Sequence, residues 1–165
     1  MITLRNVQAT DLEQLLIIEN EGFTKEEAAS KEAFIERIQL IPDTFIVAEK
    51  DGKIVGYING PIIAQKYITD DLFEKIVANP NTGGFQSVLG LAVSKKARNQ
   101  GIAKILLTKM EQLVKEHNRQ GITLTCREEL VAFYEKYGFV NEGVSASQHG
   151  GVRWYNLVKL SEHML

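Results

Sequence analysis

The sequence predicts a mixed α/β fold, a central mixed sheet of about seven strands flanked by helices, with residues 1–165 forming one domain. Three segments carry that expectation. Residues 87–93 (Ser-Val-Leu-Gly-Leu-Ala-Val) are apolar almost throughout, as a strand buried on both faces would be. From Gly101 to about Asn118, Ile102, Ile105, Leu106, Met110, Leu113 and Val114 fall on one side of a helix, with Lys104, Glu111, Lys115 and Glu116 on the other. Residues 44–59 read as a hairpin, two β-rich runs joined at Asp51-Gly52, a dipeptide that tolerates positive φ.

The remaining elements follow in order. Ile2 to Val7 alternates apolar residues as a short strand does. Thr10 offers a helix cap, with Asp11 and Glu13 in a first turn where the dipole favours acids. Leu12, Leu15, Leu16 and Glu19 share one face of that helix, which runs out near Gly22. A second helix is expected from Lys25 to Leu40, striped by Phe34, Ile35 and Ile38 and stopped by Pro42. Thr69-Asp70-Asp71 caps a short helix through Val77, and residues 79–84 form a loop. Gly121 to Cys126 is a strand, and Glu129 to Tyr137 an amphipathic helix closed by Gly138. Phe139 onward and Val152 to Leu160 supply the last two strands, with Gly150-Gly151 turning between them.

Composition narrows the partners. An apolar fraction of 44% and a charged fraction of 24% are ordinary for a soluble globular protein. No apolar run approaches the roughly 18–20 residues that span a bilayer, and the first residues lack a secretory pattern, so the expected location is cytoplasmic and no membrane partner is expected. The single cysteine, Cys126, excludes an internal disulfide. Net charge is -2, and the densest basic patch, residues 95–98, is too short to track a nucleic acid backbone. A small polyanion suits it better.

Residues 88–107 give that patch a setting. A buried strand ends at Val93, a basic turn follows, and a helix begins at Gly101. A helix start leaves its first N–H groups unpaired and carries partial positive charge, which suits phosphate. Gly101 lets the backbone approach an oxygen closely, Ala103 keeps the next position small, and Arg98 with Lys95 or Lys96 adds charge at the rim. The turn Arg98-Asn99-Gln100-Gly101-Ile102-Ala103 thus reads as a pyrophosphate cradle. There is no Gly-Lys-Ser/Thr for a P-loop and no Gly-x-Gly-x-x-Gly for a dinucleotide fold.

That pattern, Arg-x-x-Gly-x-Ala between Leu91-Ala92-Val93 and Ile105-Leu106-Leu107, resembles the acetyl-CoA signature of the GCN5-related N-acetyltransferase (GNAT) superfamily. Residues 132–139, Ala-Phe-Tyr-Glu-Lys-Tyr-Gly-Phe, look like the family's Phe-Tyr-x-x-x-Gly-Phe helix, and the element order fits that fold from end to end. Within the superfamily, residues 126–134 and Ile18-Glu19-Asn20-Glu21-Gly22-Phe23 are similar to the arylalkylamine (serotonin) N-acetyltransferases.

The resemblance implies an enzyme that moves the acetyl group of acetyl-CoA to a primary amine, with no metal. Leu91, Ala92, Val93 and residues 98–103 (Arg98, Asn99, Gln100, Gly101, Ile102, Ala103) would bind the coenzyme. Backbone N–H groups at Leu89 or Leu91 would polarise the thioester carbonyl, and those near Val93 would pair with pantetheine amides as an added strand does. Tyr134 would protonate the departing thiolate, the alternative being a core aromatic beside Phe133 and Tyr137. The proton acceptor is open. The two histidines of the animal enzymes fall at Ser87 and Leu89 here, leaving Glu21, Ser87 through a water, or His149 as substitutes. Phe23, Phe34 and Trp154 are candidate walls of the amine pocket, Trp154 being equally a core residue. Cys126 is expected to be buried and inert. A homodimer is a further expectation from the family.

A small aryl- or alkylamine is the leading acceptor. A protein N-terminus or lysine is the alternative and would need an open groove between the first helices and the final hairpin. A non-catalytic acyl-CoA sensor is the third reading.

Overall fold

A computed structural model describes residues 1–147 and 149–164. Strand β1 (Thr3–Asn6) leads through a single 3-10 turn into helix α1 (Leu12–Gly22). Helix α2 (Lys31–Leu40) is shorter than expected because Ser30 caps it, its hydroxyl accepting the Ala33 N–H. The hairpin follows as β2 (Phe45–Lys50) and β3 (Lys53–Asn59), turning at Asp51 and Gly52, both at positive φ. A two-residue strand, β4 (Ile62–Ile63), precedes a segment in which the expected helix through Val77 is only a 3-10 turn at Asp70–Phe73. Strands β5 (Phe85–Val88) and β6 (Gly90–Val93) then lead to α3 (Ile102–Glu116), β7 (Gly121–Cys126), α4 (Glu128–Lys136), β8 (Val140–Val144) and β9 (Tyr155–Leu160).

Among the described residues these strands form two sheets, ordered β1-β2-β3-β6 and β4-β5-β7-β9-β8, with β5 and β7 the parallel pair. The fold is the expected mixed α/β one. Among the described residues the strand count rises from about seven to nine because β4 lies where no strand was expected and because the expected strand 87–93 is interrupted at Leu89. Register pairs Asn59 with Gly90, yet the Leu89 amide also bonds the Asn59 carbonyl at 2.8 Å. Two residues thus oppose one, a β-bulge. On its other side the Ser87 amide bonds the Pro61 carbonyl at 3.1 Å and Val88 pairs with Leu124. Within one residue the chain leaves one sheet and joins the other.

The core lies on both faces of the first sheet. Alternation along β2 sends Ile46 and Ala48 toward α3, where they meet Ile102, Leu106 and Met110, while Phe45 and Val47 meet Leu15, Ile18 and Phe34 of α1 and α2. Among the described residues no helix is long and apolar enough to cross a membrane.

Arg5 ties β1 to the start of α1. Its guanidinium donates to both Asp11 oxygens at 2.8 and 2.9 Å and also binds Glu49. Burial alone would raise the Asp11 carboxyl; the Arg5 fork and the Gln8 amide outweigh it and hold the group below its ordinary value. A depressed carboxyl stabilises the fold fully above the unfolded value of about 3.9 and loses that contribution as pH falls through its folded value. Asp11→Asn should therefore lower stability at neutral pH by about 2 kcal/mol, and the gap from the parent should shrink as pH drops below about 4, as read by denaturant unfolding across pH.

Candidate active site

Where the two sheets part, they leave a cavity of about 80 Å³. Val88, Leu89, Gly90 and Leu91 form one side of it and Leu124, Thr125 and Cys126 the other. Tyr134 of α4 closes the inner end, and Phe23, Phe73, Leu130 and Trp154 contribute apolar wall.

Two ionisable groups line this cavity from the helices. Glu19 sits on the apolar face of α1, 4% exposed, where its carboxylate accepts the Tyr57 hydroxyl and, at 2.7 Å, the Ala29 N–H. Arg37, one turn along α2 from Phe34, is 2% exposed. Its Nη1 donates to Asn59 Oδ1 at 3.2 Å; its Nη2 and the Asn59 Nδ2 have no partner among the described residues. Burial pulls the Arg37 guanidinium below its ordinary value, and the Glu19 charge opposes that shift. Burial and then Glu19 push the Tyr57 phenol well above its usual range, so it remains the donor of the pair.

Tyr134 is buried, edge-on to Phe133 and Phe139 at 5.0 and 5.6 Å between ring centroids. Burial raises its phenol well above the ordinary value, so it holds its proton at neutral pH. Cys126, across the cavity, is pushed up to about 12 by burial and by the charge of Glu129, so it is a thiol rather than a nucleophilic thiolate.

Three connecting segments cover the cavity. Glu27, between α1 and α2, accepts from Arg127 Nε at 2.8 Å, and its side chain packs under Gly150 of the β8–β9 connection, where an added Cβ would stand 3.0 Å from Glu27 Cγ. The β4–β5 connection is held to β8 by Lys66 and Glu142 at 2.8 Å.

The turn before α3 has the form its sequence suggests. Gly101 caps the helix at φ 75° and Asn99 is left-handed at φ 65°, a conformation asparagine tolerates. The first intrahelical bond joins the Ile105 N–H to the Gly101 carbonyl, so the amides of Ile102, Ala103 and Lys104 precede it as orphan donors. A Cβ at Gly101 would meet no protein atom within 4 Å, so the space above it is open. Arg98 is exposed and bonds the Val93 carbonyl through Nε at 3.3 Å. Strand β6 is the edge of its sheet. The Ser94 amide bonds the Val55 carbonyl at 2.8 Å, and antiparallel pairing repeats every second residue, so the amides of Leu91 and Val93 point away from β3.

The other sequence candidates divide. Phe23 and Trp154 line the cavity. Phe34 does not: it is fully buried against Phe45 and Tyr57, behind the pocket. Glu21 accepts the Lys95 N–H at 3.1 Å and so braces the turn before α3 rather than facing the cavity. Ser87 is fully buried, its hydroxyl donating to the Pro61 carbonyl at 2.6 Å, which turns it from any acceptor. The Leu89 amide is committed to Asn59, leaving Leu91 as the outward donor. The His149 side chain lies outside the described part of the chain. Glu19, Arg37, Tyr57 and Asn59 were not singled out as site residues; the available signal was a charged residue set into an apolar helical stripe, at Glu19 beside Leu15 and Leu16 and at Arg37 beside Phe34.

The family model described as "Acetyltransferase (GNAT) family" matches residues 11–139. The chain belongs to the GNAT family. It is an acetyl-CoA-dependent N-acetyltransferase, a transferase acting on an amine acceptor. The fold is similar to the loading GNATL domain of CurA from Lyngbya majuscula, at 16% identity and a TM-score of 0.83, covering 99% of each chain. It is also similar to Arabidopsis thaliana NAA60 solved in complex with acetyl-CoA, at 20% identity and TM-score 0.73 over 97% of this chain and 99% of that one. The ribosomal-protein-S18-alanine N-acetyltransferase from Escherichia coli matches at 16% identity and TM-score 0.69, over 97% and 94%.

Because Gly101 is left-handed, at φ 75°, Gly101→Ala should cost about 1–2 kcal/mol of stability, as read by denaturant unfolding.

Proposed function

We propose that residues 1–165 form one N-acetyltransferase domain that acetylates a small primary amine, of the aryl- or alkylamine kind, by direct attack within a ternary complex. The observation that carries this reading is the covered cavity. A peptide acceptor needs a groove between the first helices and the final hairpin, and Glu27 bridges that gap, packed under Gly150 and paired with Arg127. The narrow cavity beneath suits a short acceptor. The raised Cys126 thiol favours direct attack over an acyl-cysteine route.

In this reading the amides of 102–104 and Arg98 hold the pyrophosphate, and the outward amides of Leu91 and Val93 hold, respectively, the thioester carbonyl and the pantetheine arm. An alkylamine has a pKa near 10.4, so about one molecule in 10³ is neutral at pH 7, a handicap of roughly 4 kcal/mol. Glu19 answers that handicap, drawing in the ammonium and taking one proton from it before attack, so that the neutral amine adds to the thioester carbon. As the C–S bond breaks, Tyr134 gives its proton to the departing CoA sulfur and the second N–H proton of the adduct returns to the phenolate, while Glu19 releases its proton to solvent; among the described residues the Tyr134 hydroxyl has no acceptor of its own.

Thiol release from acetyl-CoA with aryl and alkyl amines, polyamines and peptides tests the reading. Turnover is expected with one class of small amine, falling at least about tenfold in Tyr134→Phe and about 10²-fold in Glu19→Gln. Turnover with peptides alone would assign the acceptor to protein N-termini or lysines, and tight CoA binding without any turnover would make the domain a sensor.

A further inference from the structure

We infer that the acceptor amine also carries a carboxylate, which Arg37 receives at the cavity floor. The inference rests on the small-amine reading and names the substrate class within it. Arg37 is a buried cation with one hydrogen-bonding arm uncommitted: Asn59 Oδ1 occupies Nη1, and Nη2 has no partner among the described residues. It forms no ion pair with any described carboxylate, whereas Arg5 and Arg127 each meet carboxylates closely and directly. Asn59 is fully buried beneath Gly90 and fixes which arm of the guanidinium stays open. Planar donor forks of this kind match carboxylate oxygens better than a neutral acceptor.

The charges around the cavity fit a zwitterion. Among the described residues that line it, Glu27 is paired with Arg127, Cys126 and Tyr134 are neutral, and the other charged groups are Glu19 and Arg37. An amine with no acid group leaves Arg37 Nη2 without an acceptor. A short amino acid brings an ammonium and a carboxylate together, adds no net charge to the buried site, and gives that arm its acceptor. Apolar wall from Phe23, Phe73, Leu130 and Trp154 is left for its side chain. Discrimination follows from the penalty on the ligand that lacks a partner for Arg37, the strongest kind available to a small pocket.

Matched pairs decide the point without any variant: β-alanine against ethylamine, phenylalanine against phenethylamine, tryptophan against tryptamine, each scored by kcat/KM for thiol release. The amino acid should be preferred in at least one pair by about 10²-fold or more. Arg37→Gln, confirmed folded by its melt, should erase that preference chiefly by raising KM for the amino acid, with a smaller effect on kcat. Decarboxylated amines turned over as well as or better than their acids in every pair would overturn the inference and leave the small-amine reading standing. Failure of both members of every pair, with turnover on peptides, would overturn that reading and the inference with it.

Discussion

One hydrogen bond sets the working geometry of this molecule, that of the Leu89 amide to the Asn59 carbonyl. It places two residues against one, and a strand that would otherwise continue across a single sheet turns out of it. The results are a cavity between the separated strands, an edge on β6 whose alternate amides face outward, and a passage from that edge to the turn before α3. The bulge opens the space, and the helices and connecting segments then line and cover it.

The site is also where the fold departs from its own packing rules. Tyr57, Phe34 and Phe45 form a close aromatic cluster, with centroids 5.7 to 6.1 Å apart, and on the same helices Glu19 and Arg37 are carried into the interior. Leaving one arm of a buried guanidinium unpaired costs on the order of 1–3 kcal/mol. The surrounding core must supply that, because polar groups outside a site are ordinarily satisfied. The aromatic cluster holds both side chains in place while excluding the water that would level their charges.

Much of the fold was legible beforehand. The form of the turn 98–103 could be read because the residues that permit it, Gly101 and Ala103, are conspicuous. The α4 aromatic run could be read for a similar reason, its spacing being local. The break at Leu89 could not, since apolar residues run through it unbroken and a bulge is decided by the partner strand, here Asn59. The same limit applies to Glu21 and Ser87. Both stand near the site in sequence, but the Lys95 amide and the Pro61 carbonyl, far off in the chain, take their polar groups. Glu19 and Arg37 lay in plain view as charges in apolar stripes, and only tertiary packing gives them a common cavity. The helix expected from Lys25 began later because Ser30 offered a better cap than anything upstream.

The cover over the cavity has a consequence for timing. It is latched at two points by ion pairs, Arg127 with Glu27 and Lys66 with Glu142, in each of which one partner reaches solvent. Contacts of that kind weaken as mobile ions crowd around them. A lid held this way loosens gradually with ionic strength, so salt acts on the residence time of whatever lies beneath it while the buried chemistry, shielded from those ions, keeps its own pace.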